Sequence, residues 1–210
     1  MSNTSLIKKT INLYPYFFPK IYSIFRSIIL PVSKIESLLP KKGIILDVGC
    51  GYGFTSIFFA LKNKNRKIIG SEINEKRVLI AQKISTSISN VSFKTADLID
   101  KNKTSFDAIL AIDLLHHINS SQKDSFLQDA FSKLKPKGIL IIKDINTQPL
   151  FKYWWNYFHD LVMTKFSKLY FLSSSEIKNL LIKNNFKIIK EGKFLNSFYP
   201  HVYYVCQKNS

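Results

Sequence analysis

From residue 43 the chain alternates short apolar runs with stretches whose apolar residues recur every three or four positions. Ile44–Val48, Lys67–Ser71, Val91–Thr95, Phe106–Ile112 and Ile139–Lys143 have the length and side-chain content of strands. Phe54–Leu61 reads as a helix after the first of them, and Val78, Ala81, Ile84 and Ile88 mark one face of a second helix. Leu127, Ala130, Phe131 and Leu134 follow i, i+3, i+4, i+7 spacing. Ser121 and Asp124 are spaced as a capping box ahead of them, and Lys135-Pro-Lys-Gly138 is the stop. Such alternation predicts an α/β fold, a parallel sheet with helices on both faces.

The two ends depart from this rhythm. Residues 1–19 close on the proline-broken aromatic segment Tyr14-Pro-Tyr-Phe-Phe-Pro19; Ile21, Ile24, Phe25, Ile28 and Ile29 then fall at helical spacing until Pro31 interrupts them. Prolines and Lys20 break the apolar region, and no small-residue cleavage site follows, so a signal peptide is a poor match. Near the other end, Ser173 and Glu176 cap a short helix carrying Ile177, Leu180 and Leu181. Two β-rich runs, Phe186–Lys190 and His201–Cys206, predict a hairpin-like pair at the end of the sheet. Phe151, Trp154, Trp155, Phe158 and Val162 share one face of a helical insert at about 150–172. The organisation expected is a helical lid or cap over residues 1–40 and one domain over 41–210.

Length and composition narrow the classes further. At 210 residues and 46% hydrophobic content the chain suits one well-packed α/β domain and not a disordered protein. No run of 18 apolar residues is free of charge, which argues against a membrane-spanning helix. Cys50 and Cys206 form neither a zinc-spaced pair nor a disulfide framework, so a reducing cytoplasmic setting and no metal are expected. The net charge of +17 turns attention to nucleic acid or an anionic membrane surface. Yet only three of the 31 basic residues are arginines (Arg26, Arg66, Arg77), and bidentate reading of phosphates favours arginine. With 28 Ile and 15 Asn, codon bias in an AT-rich genome accounts for the lysines equally well.

The chemistry concentrates in Ile45-Leu-Asp-Val-Gly-Cys-Gly-Tyr-Gly-Phe54. Its glycines let the backbone turn tightly and approach a ligand, and the helix that follows aims free N–H groups at the same place. In an open parallel sheet this turn lies at the topological switch point, where ligands bind. About 20 residues on, Glu72 closes the second strand, placed to accept hydrogen bonds from two ribose hydroxyls. A dinucleotide fingerprint needs a sixth-position glycine where Phe54 stands, and Asp47 two residues ahead suits a cationic ligand better than a pyrophosphate.

These residues resemble the first motif of the class I S-adenosylmethionine-dependent methyltransferases, and the likeness spans about residues 40–145. It implies a Rossmann-like seven-stranded sheet of order 3-2-1-4-5-7-6 and S-adenosylmethionine as cofactor, with S-adenosylhomocysteine as product. Asp47, Gly49, Cys50, Gly51 and Gly53 would then line the methionyl side; Glu72 would hold the ribose and Ile73 would lie beside the adenine. Ala96-Asp97-Leu98 resembles the adenine-amino contact. Phe106-Asp-Ala-Ile-Leu-Ala-Ile-Asp-Leu-Leu-His-His-Ile118 resembles the fourth-strand motif, with Asp113 and Leu114 bordering the reactive methyl group. Leu134-Lys-Pro-Lys-Gly-Ile-Leu-Ile-Ile142 resembles the turn into the fifth strand, with Lys137-Gly138 replacing the family's usual Gly-Gly. A narrower likeness joins Lys143-Asp-Ile-Asn146, Trp154-Trp-Asn-Tyr-Phe-His-Asp160 and Tyr199-Pro-His-Val-Tyr-Tyr-Val-Cys206 to small bacterial methyltransferases of aryl-polyene or lipid-like pigment pathways.

A methyl sulfonium is already an activated donor, so the protein chiefly aligns the nucleophile and excludes water, and a base is needed only if the acceptor must lose a proton. His116, His117 and Asp144 are the candidate catalytic groups, with packing or capping the plain alternative for each. Trp154, Trp155, Phe158 and His159 are the candidate substrate contacts, or otherwise one face of an ordinary amphipathic helix. Cys50 reads as a tolerated loop residue rather than a nucleophile. The leading expectation is methyl transfer to O, N or C of a small hydrophobic acceptor. An RNA methyltransferase is the first alternative, although Asp113-Leu-Leu-His116 stands where enzymes that methylate base amino groups carry an Asn/Asp-Pro-Pro-aromatic motif. A non-catalytic protein peripheral to an anionic membrane is the second. The sequence leaves the oligomeric state and the acceptor open.

Overall fold

The apolar run after residue 42 forms β1 (Gly43–Val48), which pairs in parallel with β2 (Arg66–Glu72); β2 pairs in parallel with β3 (Val91–Thr95). The register sets Asp47 beside Gly70 and Glu72 beside Thr95, so both acids lie at the carboxyl ends of their strands. The structure is a computed structural model and describes residues 2–96, 105–146, 169–194 and 201–208. The chain divides into two compact units, 1–110 and 111–210.

In the first unit α1 (Asn3–Asn12), α2 (Phe17–Ile29) and α3 (Val32–Glu36) precede β1. The crossover α4 (Phe54–Lys62) is buried from Phe54 through Ala60, as its almost continuous apolar sequence requires. In α5 (Glu75–Ile84) Val78, Ala81 and Ile84 face inward, and Asn74 caps the helix by accepting from the Arg77 N–H. Arg66 is buried at 3% exposure because its guanidinium is matched: Nη1 donates to Glu36 at 2.6 Å and Nε to the Pro40 carbonyl at 2.7 Å. That pairing ties α3 to the start of β2.

The strand β4 (Phe106–Ile112) runs across the division between the units. Beyond it come two short 3₁₀ turns, Leu115–His117 and Ser120–Gln122, then α6 (Lys123–Lys133), β5 (Leu134–Ile145), α7 (Ser174–Lys183), β6 (Phe186–Lys193) and β7 (His201–Lys208). β7 is antiparallel to both β5 and β6. The seven strands lie in the order β3-β2-β1-β4-β5-β7-β6, a mostly parallel sheet with the closing antiparallel pair expected from the sequence.

Three local expectations need correction. Ser121 and Asp124 form no capping box: Ser121 sits in the 3₁₀ turn with its N–H on Asn119 Oδ1, and Asp124 instead accepts from Lys183 and Asn184. The fifth strand begins at Leu134 rather than Ile139. Pro136 keeps the preceding residue extended, and the side chains of Lys208 and Gln207 donate to the Leu134 and Lys137 carbonyls. Ile88 is buried, as its pattern implied, but lies beyond the end of α5. The Ser173–Glu176 capping box is present in full.

Candidate active site

Within the first unit the site is built on the turn from β1 into α4. Asp47 is 1% exposed, and its Oδ2 accepts from Thr55 Oγ1 at 2.9 Å and Ser56 Oγ at 2.5 Å, both in the first turn of α4. Burial raises the Asp47 pKa above its usual value, and the two hydroxyls pull it back. The contacts of Asp47 among the described residues thus lock the strand to the helix. Gly53 supplies the left-handed turn that starts α4: its φ is 84°, and a Cβ there would come 2.5 Å from the ring of Phe93.

Glu72, at the end of β2, holds the other side of the turn. Its Oε2 accepts the Gly51 N–H at 3.0 Å, and its Oε1 accepts the Asn74 N–H at 3.0 Å. The Arg77 guanidinium stands 3.9 Å from Oε2 and 5.5 Å from the centroid of the Tyr52 ring. Gly49 and Cys50 both donate their N–H groups to the Ser71 carbonyl, so the glycine turn is laced to β2 at three points. Ile73, the next residue, is 82% exposed. Cys50 is buried, and that burial pushes its thiol above the ordinary range, which disfavours the thiolate.

The N-terminal helices reach this turn. Tyr14 Oη donates to the Tyr52 carbonyl at 3.0 Å, the Tyr22 and Tyr52 rings meet edge-on at 5.2 Å, and a Cβ on Gly51 would lie 3.1 Å from Tyr22 Oη. Neither tyrosine reads as a site residue in the sequence: Tyr22 falls in a helical stretch, where aromatic residues more often pack in a core, and Tyr14 falls in the proline-broken segment before it.

The second unit carries a separate polar cluster. Asp113 leaves β4 with a φ of 52°, donates its N–H to the Lys143 carbonyl at 2.8 Å, and is ion-paired to the fully buried Lys143 ammonium. Asp144, the next residue on β5, meets His116: Nδ1 lies 2.5 Å from Asp144 Oδ1, and the His116 N–H donates to Oδ2 at 3.3 Å. The imidazole stacks on Phe171 at 5.0 Å and leans on His117 at 4.1 Å. Lys123 Nζ ties the surrounding chain together by donating to the carbonyls of Leu115, Ile118 and Tyr170. Burial lowers its pKa, and the charge of Asp144 works the other way.

Of the candidate catalytic groups, His116 and Asp144 are brought together and buried, while His117 is exposed. Leu114 opens the 3₁₀ turn that holds His116. Lys143 went unnoticed in the sequence, since a lysine inside an apolar strand reads as a strand end until its partner is known. Asp97, Leu98, Trp154, Trp155, Phe158 and His159 lie outside the described residues. Among the described residues no group of three or more His, Cys, Asp or Glu could hold a metal ion.

A glycine-rich strand-to-helix turn, an acid closing the second strand and sheet order 3-2-1-4-5-7-6 are the arrangement that the resemblance to the class I methyltransferases implies. The sequence profile of the methyltransferase domain family matches residues 39–192. The chain belongs to that family, the class I S-adenosylmethionine-dependent methyltransferases. It is 26% identical over 170 residues to a ubiquinone biosynthesis O-methyltransferase of Bartonella bacilliformis, a match covering 74% of this chain and 64% of that protein. It is 32% identical over 130 residues to a tRNA (guanine-N(7)-)-methyltransferase of Prochlorococcus marinus, covering 54% of this chain and 62% of that one. The chain thus spans less than two thirds of the length of either relative. In fold it is similar to a magnesium protoporphyrin IX methyltransferase from Synechocystis, solved with bound S-adenosylhomocysteine. The TM-score there is 0.68, at 20% identity, over 99% of this chain and 96% of that one. No helix among the described residues is long and apolar enough to cross a membrane.

Proposed function

We propose that this chain transfers the methyl group of S-adenosylmethionine to an O, N or C nucleophile of a small, hydrophobic acceptor. The observation that carries the reading is Glu72, held at the end of β2 by the Gly51 and Asn74 N–H groups. Its carboxylate keeps further lone pairs for two ribose hydroxyls. The glycine turn with Gly49, Gly51 and Gly53 supplies backbone groups to the methionyl side, and Asp47 acts by fixing that turn through Thr55 and Ser56. Ile73 covers the adenine, Asp97 and Leu98 meet its edge, and Asp113 and Leu114 border the methyl group. In this reading residues 1–40 cap a catalytic domain spanning 41–210, which the contacts of Tyr14 and Tyr22 with the glycine turn support.

His116, oriented by Asp144, takes the acceptor's proton where the nucleophile has one to lose. The acceptor's aromatic or lipid-like character rests on the helical spacing of Trp154, Trp155 and Phe158 in the sequence, beside His159, and on the likeness to a ubiquinone biosynthesis enzyme. Calorimetric titration with S-adenosylhomocysteine tests the reading, with NADH as control. Saturable binding that falls at least tenfold in Glu72→Ala supports it; binding of NADH instead, or full affinity in the variant, refutes it.

A second reading, an RNA acceptor, draws on the charge of +17 and on the tRNA methyltransferase relative. Filter binding to bulk tRNA decides it: a log–log salt slope steeper than about −3 favours RNA, and a flat one removes it.

A further inference from the structure

The helix α2 has its apolar face outward. Phe17 is 70% exposed, Phe18 78%, Phe25 52% and Ile28 72%, with Tyr16 and Ile24 each at 38%. Its buried residues are Pro19 and Ser23, the reverse of what an amphipathic helix packed on a core presents. At 100° per residue the exposed apolar positions of α2 fall within roughly 120° of arc, opposite Pro19 and Ser23, with exposed Lys20 beside that arc. Exposed apolar surface gathered on one helix marks an interaction face.

Charge decides what that face meets. Residues 1–35 contain Lys8, Lys9, Lys20, Arg26 and Lys34 and no acid before Glu36. Lys8, Lys9, Lys20 and Lys34 are exposed, and the Lys83 ammonium stands 5.4 Å from the centroid of the Tyr16 ring at the edge of the face. A second copy of this chain would bring the same positive charge against itself. An anionic bilayer complements both parts at once, taking aromatic and aliphatic side chains at the level of its headgroups and lysines against its phosphates.

We infer that α2 is an interfacial helix that docks the protein on anionic membranes through Phe17, Phe18, Phe25 and Ile28. Tyr22 on the same helix packs against Tyr52, so docking through α2 holds the glycine turn close to the bilayer surface. The docking itself does not depend on the methyl-transfer reading.

The test is co-sedimentation of the full chain with sucrose-loaded vesicles of phosphatidylcholine alone or with about 30% phosphatidylglycerol as the anionic lipid. The inference expects binding to the mixed vesicles at least tenfold tighter than to phosphatidylcholine. A Phe18→Ser/Phe25→Ser/Ile28→Ser variant should lose at least tenfold of that binding. A Lys8→Glu/Lys9→Glu/Lys20→Glu variant should lose the preference for phosphatidylglycerol. These positions are exposed, so S-adenosylhomocysteine affinity and the melting temperature should stay at parental values and report intact folding. Equal binding to both vesicle types, or unchanged binding of the serine variant, overturns the inference. So does a dimer in sedimentation velocity that the serine variant abolishes, which would assign the face to a second copy. Failure to bind S-adenosylhomocysteine beside intact vesicle binding would refute the proposed activity and leave the docking standing.

Discussion

His116 Nδ1 lies 2.5 Å from Asp144 Oδ1, joining the turn after β4 to the end of β5. An aspartate acceptor at Nδ1 selects the Nδ1–H tautomer and leaves Nε2 as the accepting nitrogen, the form a proton acceptor needs. Long-range ¹H–¹⁵N spectra should therefore report Nδ1–H at His116 in the parent. In Asp144→Ala the population should move toward Nε2–H. An unchanged tautomer in the variant would mean that the contact does not orient the ring. The same substitution frees the buried N–H groups of His116 and Ile145, at a cost of about 1–3 kcal/mol each in urea denaturation.

The ion pair beside it makes an asymmetric prediction. Lys143 is fully buried, whereas the Asp113 side chain is 14% exposed. Asp113→Ala removes the carboxylate and leaves an ammonium in the interior, so it should cost about 3–5 kcal/mol. Lys143→Met leaves a carboxylate with some access to water and should cost clearly less. Equal losses in urea denaturation would contradict the assignment of Lys143 as the more deeply held charge.

Gly53 tests the turn itself. A Cβ would meet the Phe93 ring at 2.5 Å in a backbone conformation that L-residues rarely adopt. Gly53→Ala should cost about 1–3 kcal/mol from overpacking, with the strain of a positive φ added. Gly53→Ala/Phe93→Leu should recover part of the loss, because the flat ring edge is the nearest obstacle. Melting temperatures of the two variants make the comparison.

Asp47 carries a pH signature. Burial raises its folded pKa above the unfolded value of about 3.9, so the folded state holds the proton more tightly. The stability this gives is present below the unfolded pKa and is lost as pH rises through the higher folded value. Asp47→Asn keeps an oxygen for Thr55 and Ser56 but does not titrate. The parent's melting temperature, relative to that variant, should fall as pH is raised from about 4 to 7. Parallel curves would mean that Asp47 ionises in the fold as easily as in the unfolded chain.

The division between what was legible and what was not follows the range of the interactions. Strand and helix identity came from apolar spacing, which is local; β3 and β4 have the bounds their patterns predict. The capping box at Ser173 and Glu176 was legible for the same reason, since all of its atoms lie within four residues. The box at Ser121 and Asp124 had the same spacing and did not form, because Asp124 found Lys183 and Asn184 about 60 residues away. No local rule can rank a cap against a partner that distant in the chain.

The sequence by itself determined the α/β class, the glycine turn with Asp47 before it and Glu72 after it, and the family, because these depend on residue order and short spacings. Only the tertiary structure decided that His116 meets Asp144 and that Lys143 meets Asp113, each across some thirty residues of chain. It also decided that α2 turns its phenylalanines outward. An amphipathic pattern states that a helix has an apolar face; which side of the molecule receives that face depends on what the rest of the chain leaves uncovered.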